Sequence, residues 1–342
     1  MLNVDIVGLG SSVGEEKSLS RIDYPVDAQI KALEAGGYNH FYKSNKSLRE
    51  MGGDAAVKAL QNAGLTAGDI DFIVGAHTDI ADYPGIDFAC QVGAELGVDR
   101  IRTRCITEGC GSAVTAFDEA SNMLKNGGGV VGLVVQAQKV SDAHHDRFSL
   151  LNGILSDAAV ATVVTVSGEH DEYLLRLGSF AEVSIPYFVD MMRIEFGGSA
   201  QPMIVPTSSP EYYKPGRERI QDIYRMTPEE LYHFIEIRSS TMADVIAQVK
   251  RNAQWDESAG CLFHTLEGVR SIAEIARQSR IKRSNADLVS KHGHCGCADP
   301  ILSFIDYFES GRLHRGERII LSTISTGMKW AALTGIVGDD LS

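Results

Sequence analysis

An internal repeat constrains the fold of this chain more than any other feature of its sequence. NAGLTAGDIDFIVGAHT (62–78) is echoed by NAQWDESAGCLFHT (252–265), and both copies read as a helix end, a loop and a strand that closes in His-Thr. CGSAVTAFDEASNMLKNG (110–127) is echoed by CGCADPILSFIDYFESG (295–311), and an apolar strand follows each copy. Two matched pairs of segments in the same order are typical of a duplicated architecture.

The spacing of the two pairs supports the duplication. His264 follows His77 by 187 residues, and Cys295 follows Cys110 by 185 residues. Two unrelated domains would not be expected to share this offset. We therefore predict two halves of one architecture, with the division near residue 170.

The predicted halves, 1–170 and 171–342, alternate strands and helices. TPEE (227–230) combines an N-cap, a proline at the first helical position and a glutamate three residues after the cap, so a helix should run from here to about Asn252. Helix-covered apolar strands of this kind predict an α/β fold with mostly parallel strands. Short β-branched runs predict the buried strands, which are DFIVGAH (71–77), VVGLVVQA (130–137), AVATVVTV (159–166), CLFH (261–264) and RIILSTIS (318–325).

Composition sets limits on function. The net charge of −13 over 342 residues argues against a nucleic-acid-binding surface. No apolar run reaches the ~18 residues that a membrane span needs, and the N-terminus lacks the basic region of a signal peptide. Six unevenly spaced cysteines do not resemble a disulfide framework, so we expect a protein of the reducing cytoplasm.

One cysteine has the surroundings of a nucleophile. Cys110 lies between two glycines at the predicted start of a helix, where unsatisfied amides and the helix dipole stabilise a thiolate. The alternative is a small buried residue at a tight turn. Two histidines occupy corresponding loop positions: His264 ends a buried strand, and His294 lies in KHGHCGC (291–297). Because open α/β folds place their sites at strand ends, the three side chains are expected to converge.

These segments resemble a known family along nearly the whole chain. EGCGSAVTAFDEASNML, LFHTLEGVRSIAEIA and the run from KHGHCGC to STISTGMKW are similar to the nucleophile, histidine and C-terminal segments of β-ketoacyl-acyl carrier protein synthase III (KAS III), of the thiolase superfamily. The resemblance implies the thiolase fold, with duplicated βαβαβ halves in a layered αβαβα arrangement. It implies Cys110, His264 and His294 as catalytic residues, with the amides of Cys110 and Gly327 as the oxyanion hole. It also implies a homodimer.

Two departures from the KAS III pattern affect the predicted chemistry. The family usually has asparagine where this chain has His294, so the trio resembles that of elongating ketosynthases. The N-terminal segment 23–48 lacks the tryptophan that grips coenzyme A in primary-metabolism members. This departure argues against coenzyme A as the acyl donor, but the choice stays open: the expected donor is a coenzyme A or an acyl carrier protein thioester, with no bound cofactor.

The resemblance predicts a condensing enzyme of polyketide, fatty-acid-like or specialised-metabolite biosynthesis. Cys110 would accept an acyl group and pass it to a malonyl-type carbanion, and Glu108 could assist. One alternative is an acyltransferase that forms an ester or amide on an oxygen or nitrogen nucleophile without decarboxylation. The alternative from another class is an inactive partner subunit of a ketosynthase heterodimer.

Three further expectations concern binding. A basic cluster after the His264 segment could receive an acidic carrier protein or the phosphopantetheine arm; alternatively it only complements a helix C-terminus. The run HGHCGC contains four metal-ligand side chains at spacings tighter than those of structural zinc sites, so no metal is expected. Segment 181–226 should shape the acyl pocket or cap it. The predicted docking residues are Arg270, Arg277, Arg280, Lys282 and Arg283.

Overall fold

A computed structural model describes residues 1–150, 153–168, 172–255, 259–325 and 327–339. Strands and helices alternate along these residues. The strands are β1 (Val4–Val13), β2 (Glu15–Ser18), β3 (His40–Lys43), β4 (Phe72–His77), β5 (Arg102–Ile106), β6 (Val131–Gln138), β7 (Ala158–Val166), β8 (Leu175–Ser184), β9 (Cys261–His264), β10 (Arg283–Ser284), β11 (Arg318–Ser325) and β12 (Lys329–Val337). The helices are α1 (Asp27–Ala35), α2 (Leu48–Asn62), α3 (Phe88–Glu95), α4 (Ser112–Lys125), α5 (Gly216–Tyr224), α6 (Pro228–Asn252), α7 (Val269–Gln278), α8 (Val289–His292) and α9 (Asp299–Glu309).

The sheet topology is duplicated. Ten strands form one continuous array in the order β10-β9-β11-β12-β8-β1-β7-β6-β4-β5. From the centre outwards, one half runs β1-β7-β6-β4-β5 and the other runs β8-β12-β11-β9-β10, so each strand has a counterpart in the same place. The halves meet where Val4 of β1 pairs with Leu177 of β8. The predicted division at residue 170 lies outside the described residues.

The structure corrects the register of the repeat. Short 3-10 turns at Gly109–Gly111 and Gly296–Ala298 precede α4 and α9, and each begins with a glycine in the left-handed region, at φ 58° and 61°. These glycines are 187 residues apart, the same offset that separates β6 from β11. The counterpart of Cys110 is therefore Cys297, and the predicted pairing with Cys295 was wrong by two residues.

The helices and the two halves of the sheet form alternating layers. Apolar side chains of α4 and α9 pack with both halves in one central core. Side chains of α2 and α3 cover the outer face of the first half, and those of α6 and α7 cover the outer face of the second. The result is the predicted αβαβα arrangement, with α4 and the turn that carries Cys110 in the middle layer.

Most of the predicted elements are present, but the expected strand direction was wrong. Helix α6 begins after a capping box at Thr227 and ends at Asn252, as predicted. Five of the nine pairings between described strands of the large array are antiparallel. In the second half the antiparallel pairing follows from a short connection. Three residues join β11 to β12, and so short a link forces a hairpin. No described helix combines the length and the apolar character that crossing a membrane requires.

Candidate active site

The nucleophile turn places Cys110 at the head of α4. Gly109 provides the positive φ that turns the chain, and α4 begins at Ser112, one residue later than the sequence predicted. The turn is held by a hydrogen bond from the Glu108 amide to Ser112 Oγ at 2.9 Å. Cys110 is 6% exposed, in the central layer. All six cysteines are free thiols.

His294 lies against this thiol. Its Nε2 is 3.4 Å from Cys110 Sγ. The backbone around His294 is fixed by the segment that precedes β7 and by the end of β6, since its amide donates to the Ile154 carbonyl at 2.7 Å and its carbonyl accepts from Gln138 Nε2 at 2.7 Å. Gly293, at φ 67°, lets the chain leave α8 in the direction that this pairing requires. Cys110 and His294 therefore lie at a distance compatible with a nucleophile–base contact.

An aspartate that the sequence analysis missed completes the arrangement. His294 Nδ1 donates to Asp299 Oδ2 at 2.6 Å, and Asp299 is fully buried at the start of α9. Its carboxylate also accepts from the amides of Cys295 at 2.6 Å and Leu266 at 2.8 Å. Three donors satisfy a charge that would otherwise be costly to bury. Cys110, His294 and Asp299 are thus linked by two successive contacts.

Electrostatics favour a charged His294. Burial lowers the pKa of the imidazole, but the sulfur of Cys110 and the carboxylate of Asp299 raise it by more, so the pKa of His294 lies well above 6.5. The hydrogen bond to Asp299 occupies Nδ1 and leaves Nε2 facing the sulfur. This orientation lets the ring take up the thiol proton and return it.

His264, the other predicted catalytic histidine, contacts different groups. Its Nδ1 is 2.7 Å from Ser322 Oγ, and its Nε2 is 3.4 Å from Glu267 Oε1. His264 pairs with Ser322 in the sheet and shares its face, which packs against α6 and α7. The next residues, Thr265 and Thr323, point to the other face. The structure therefore brings Cys110 and His294 together and directs the ring nitrogens of His264 towards the outer layer.

A buried ion pair extends from His264. Arg238 of α6 donates to Glu267, and both side chains are largely buried. Burial raises the pKa of Glu267, but Arg238 and His264 lower it by more, and the pKa lies well below 4.5. The stability that this carboxylate contributes is therefore present above about pH 4.5 and is lost as the pH falls through the pKa in the folded protein.

Arg238→Leu is expected to destabilise the fold by about 3–5 kcal/mol at pH 7, because it leaves Glu267 buried without its cation. The loss should shrink towards pH 4, where the unpaired carboxyl is protonated. Denaturant unfolding at both pH values measures it. The double variant Arg238→Leu/Glu267→Leu serves as the control and should recover most of the loss; equal instability of single and double variants would show that the pair is not the cause.

Two further predicted residues are Glu108, which precedes the nucleophile turn, and Gly327, which follows β11. Glu108 Oε1 is 3.0 Å from Lys329 Nζ, so its carboxylate is held by an ion pair at the start of β12. Gly327 lies in the turn between β11 and β12 at φ 76°, a conformation that favours glycine. The flanking Ser325 donates to the Glu108 carbonyl at 2.5 Å. The roles of Glu108 as an auxiliary group and of Gly327 as an oxyanion donor stay predictions.

The predicted docking cations are partly neutralised. Arg277 donates to both oxygens of Glu274, at 2.8 and 2.6 Å, and Arg283 is paired with Glu317. These pairs weaken the positive field of the cluster, and carrier-protein docking here stays a prediction. All five predicted side chains are exposed at the surface, namely Arg270, Arg277, Arg280, Lys282 and Arg283.

The four potential ligands in HGHCGC do not converge. Within the described ranges, no group of three or more His, Cys, Asp or Glu side chains is arranged to hold a metal ion. Each of the four has its own partner: His292 bonds to Asp306, His294 to Asp299, the sulfur of Cys295 to the His292 carbonyl, and that of Cys297 to the Ala76 and Ala137 carbonyls.

Part of the segment predicted to shape or cap the acyl pocket lines a cleft. Thr207, Tyr212 and Tyr213 face Tyr24 and Phe148 across a cleft of about 350 Å³. Cys110 is not among the described residues that line this cleft, and the cleft's relation to the acyl pocket stays a prediction.

Comparisons with known proteins relate the chain to one family. Residues 252–335 match the family model for the C-terminal part of 3-oxoacyl-[acyl-carrier-protein] synthase III. Curated β-ketoacyl-[acyl-carrier-protein] synthase III proteins from Clostridium perfringens and Campylobacter curvus are 24% and 22% identical, each over 97% of this chain and over 98% and 96% of their own lengths. The chain is KAS III-like: it resembles this family along nearly its whole length.

Solved structures show the same fold for this KAS III-like chain. FabH from Pseudomonas aeruginosa has a TM-score of 0.79 at 17% identity and covers 99% of this chain and 100% of its own. ChlB3, described as an acyltransferase, has a TM-score of 0.81 at 16% identity, with 98% of each chain covered. At such identities the likeness establishes the thiolase fold.

Proposed function

We propose that this KAS III-like chain is a thioester-dependent acyltransferase that forms an ester or an amide without decarboxylation. The observation that carries the proposal is the line from Cys110 Sγ to His294 Nε2 at 3.4 Å and from His294 Nδ1 to Asp299 Oδ2 at 2.6 Å. A histidine backed by a carboxylate is a general base, and such a base suits an acceptor that must lose a proton as it attacks.

The reaction has two acyl transfers. The thiolate of Cys110 attacks the carbonyl carbon of a coenzyme A or carrier-protein thioester, and the tetrahedral intermediate expels the pantetheine thiolate, which takes the proton from His294. An alcohol or amine then attacks the acyl group on Cys110. His294 removes the proton of the acceptor, and the second intermediate collapses to the product and the free thiolate.

Decarboxylative condensation is the second candidate, because the curated relatives are named β-ketoacyl synthases. A condensing site must stabilise the enolate of a malonyl thioester with hydrogen-bond donors. Here one imidazole nitrogen, Nε2 of His294, faces the thiol, because Nδ1 of that ring is bonded to Asp299 and His264 faces Ser322 and Glu267. The contacts therefore favour the transferase, while an inactive partner subunit would have no need of the aligned trio. The homodimer, the cytoplasmic location and the choice between coenzyme A and carrier protein remain part of the proposal.

Product analysis separates the two chemistries. We expect wild-type protein to form an acyl adduct on Cys110 with simple acyl thioesters, and to release no carbon dioxide from malonyl thioesters labelled at the free carboxylate. Addition of small alcohols and amines should discharge the adduct as an ester or amide. His294→Asn provides the comparison, since it restores the residue usual in KAS III. Carbon dioxide release by wild type with a β-keto product would contradict the transferase.

A further inference from the structure

Two hydroxyl side chains of β11 hold the backbone of the nucleophile turn. Thr323 Oγ1 donates to the Cys110 carbonyl at 2.9 Å, and Ser325 Oγ donates to the Glu108 carbonyl at 2.5 Å. Thr323 is fully buried and Ser325 is 2% exposed. The strand belongs to the second half of the fold and the turn to the first. These bonds therefore connect the nucleophile turn of one half to a strand of the other.

The two bonds match in spacing. Thr323 and Ser325 are two residues apart and therefore lie on the same face of the strand, and the carbonyls that they bind are also two residues apart. Thr265 Oγ1 donates to Thr323 Oγ1 at 2.9 Å, which leaves the proton of Thr323 for the Cys110 carbonyl. The turn also packs closely on the strand, because a Cβ at Gly111 would lie 3.1 Å from the Cβ of Ser325.

The two carbonyls that Thr323 and Ser325 bind flank one amide. The peptide between Gly109 and Cys110 carries the Cys110 N–H, and the clamped carbonyls of Glu108 and Cys110 lie one peptide before it and one after it. We infer that Thr323 and Ser325 are positioning residues that aim the Cys110 N–H at the oxyanion of the tetrahedral intermediate. This inference rests on the proposed acyl transfer through Cys110, and it deepens that function.

The turn does not depend on the hydroxyls for its existence. The Gly111 amide donates to the Glu108 carbonyl at 3.1 Å, and the Glu108 amide donates to Ser112 Oγ at 2.9 Å. Thr323 and Ser325 fix the orientation of the two peptide planes whose carbonyls they bind. An oxyanion donor acts over a narrow range of distance and angle, so a small tilt reduces its effect while the thiol stays in place.

Two reactions of the same thiol test the inference. Thr323→Val keeps the shape but loses the donor, and Thr323→Ser keeps the hydroxyl. We expect Thr323→Val to slow acylation of Cys110 by an acyl thioester by about 10–100-fold, mainly in kcat, because the reaction passes through an oxyanion. Thr323→Ser should remain within about threefold of wild type. Alkylation by iodoacetamide forms no oxyanion and should change by less than about twofold in either variant.

Each other outcome is decisive. Normal acylation in Thr323→Val would overturn the inference, and so would a parallel fall in acylation and alkylation, which would show a displaced thiol. If Thr323→Val does not fold, as judged by its thermal transition, Ser325→Ala gives the same comparison. Failure of the wild-type protein to form any adduct on Cys110 would overturn the proposed function and this inference together, and is separate from the variant result.

Discussion

Cys110→Ala is expected to abolish the acyl adduct and to reduce transfer by about 10⁴–10⁶-fold, because alanine has no sulfur to attack the thioester carbonyl. His294 and Asp299 remain in place but have no sulfur to activate. Intact-protein mass spectrometry after incubation with an acyl thioester measures the adduct, and product formation measures turnover.

Cys297→Ala is the matched control for this prediction. Cys297 occupies the corresponding turn of the other half of the fold, but its sulfur bonds to the carbonyls of Ala76 and Ala137. Burial also raises the pKa of Cys297 to about 12, so it is a poor nucleophile at neutral pH. Its variant should acylate like wild type. An adduct that survives in Cys110→Ala and disappears in Cys297→Ala would show that the nucleophile is Cys297, in the other half of the fold.

Asp299→Asn is expected to slow acylation at pH 7 by about 10²–10⁴-fold. The carboxylate accepts three hydrogen bonds, from His294 and from the amides of Cys295 and Leu266, and an amide group cannot accept all three. Loss of the negative charge also lowers the pKa of His294, so fewer molecules hold the imidazolium beside a thiolate. Single-turnover acylation across a pH series measures both effects.

Asp306→Asn makes the same change two helix turns further along α9. Asp306 is 3.0 Å from His292 Nε2, and His292 is two residues from His294. Acylation by this variant should stay within a few-fold of wild type, since neither residue contacts the thiol. Equal losses in the two variants would show that a general loosening of this segment explains the Asp299 result.

Much of the fold could be predicted from the repeat, but strand direction could not. The matched segments carry the buried strands and the helices that follow them, because apolar periodicity is a local signal. The hairpin from β11 to β12 and the strand β8 have no equally clear pattern in the sequence. The register error between Cys295 and Cys297 arose because both cysteines adjoin Gly296. The left-handed φ of 61° at that glycine and the 187-residue offset that it shares with β6 and β11 identify the counterpart of Gly109.

The candidate site was predicted in part. Cys110 and His294 lie together, and the sequence marked both through their glycine-flanked loops. His264 was assigned to the same group from its place at a strand end, but alternation along β9 turns its side chain to the outer face. Asp299 was missed because it reads as an ordinary first-turn acid of a helix, five residues after His294. The available signal was the histidine itself, since a base in place of asparagine requires a partner that fixes its tautomer.

The central claim is that Cys110, His294 and Asp299 act as one unit, and a double-mutant cycle tests it most directly. Acylation rates are compared for wild type, His294→Ala, Asp299→Asn and the double variant. If Asp299 acts only through the imidazole, its replacement should cost nothing further once the ring is gone, and the double variant should match His294→Ala within about threefold. If the double variant acylates more slowly than His294→Ala by the full factor measured for Asp299→Asn alone, the two residues act independently and the account is contradicted.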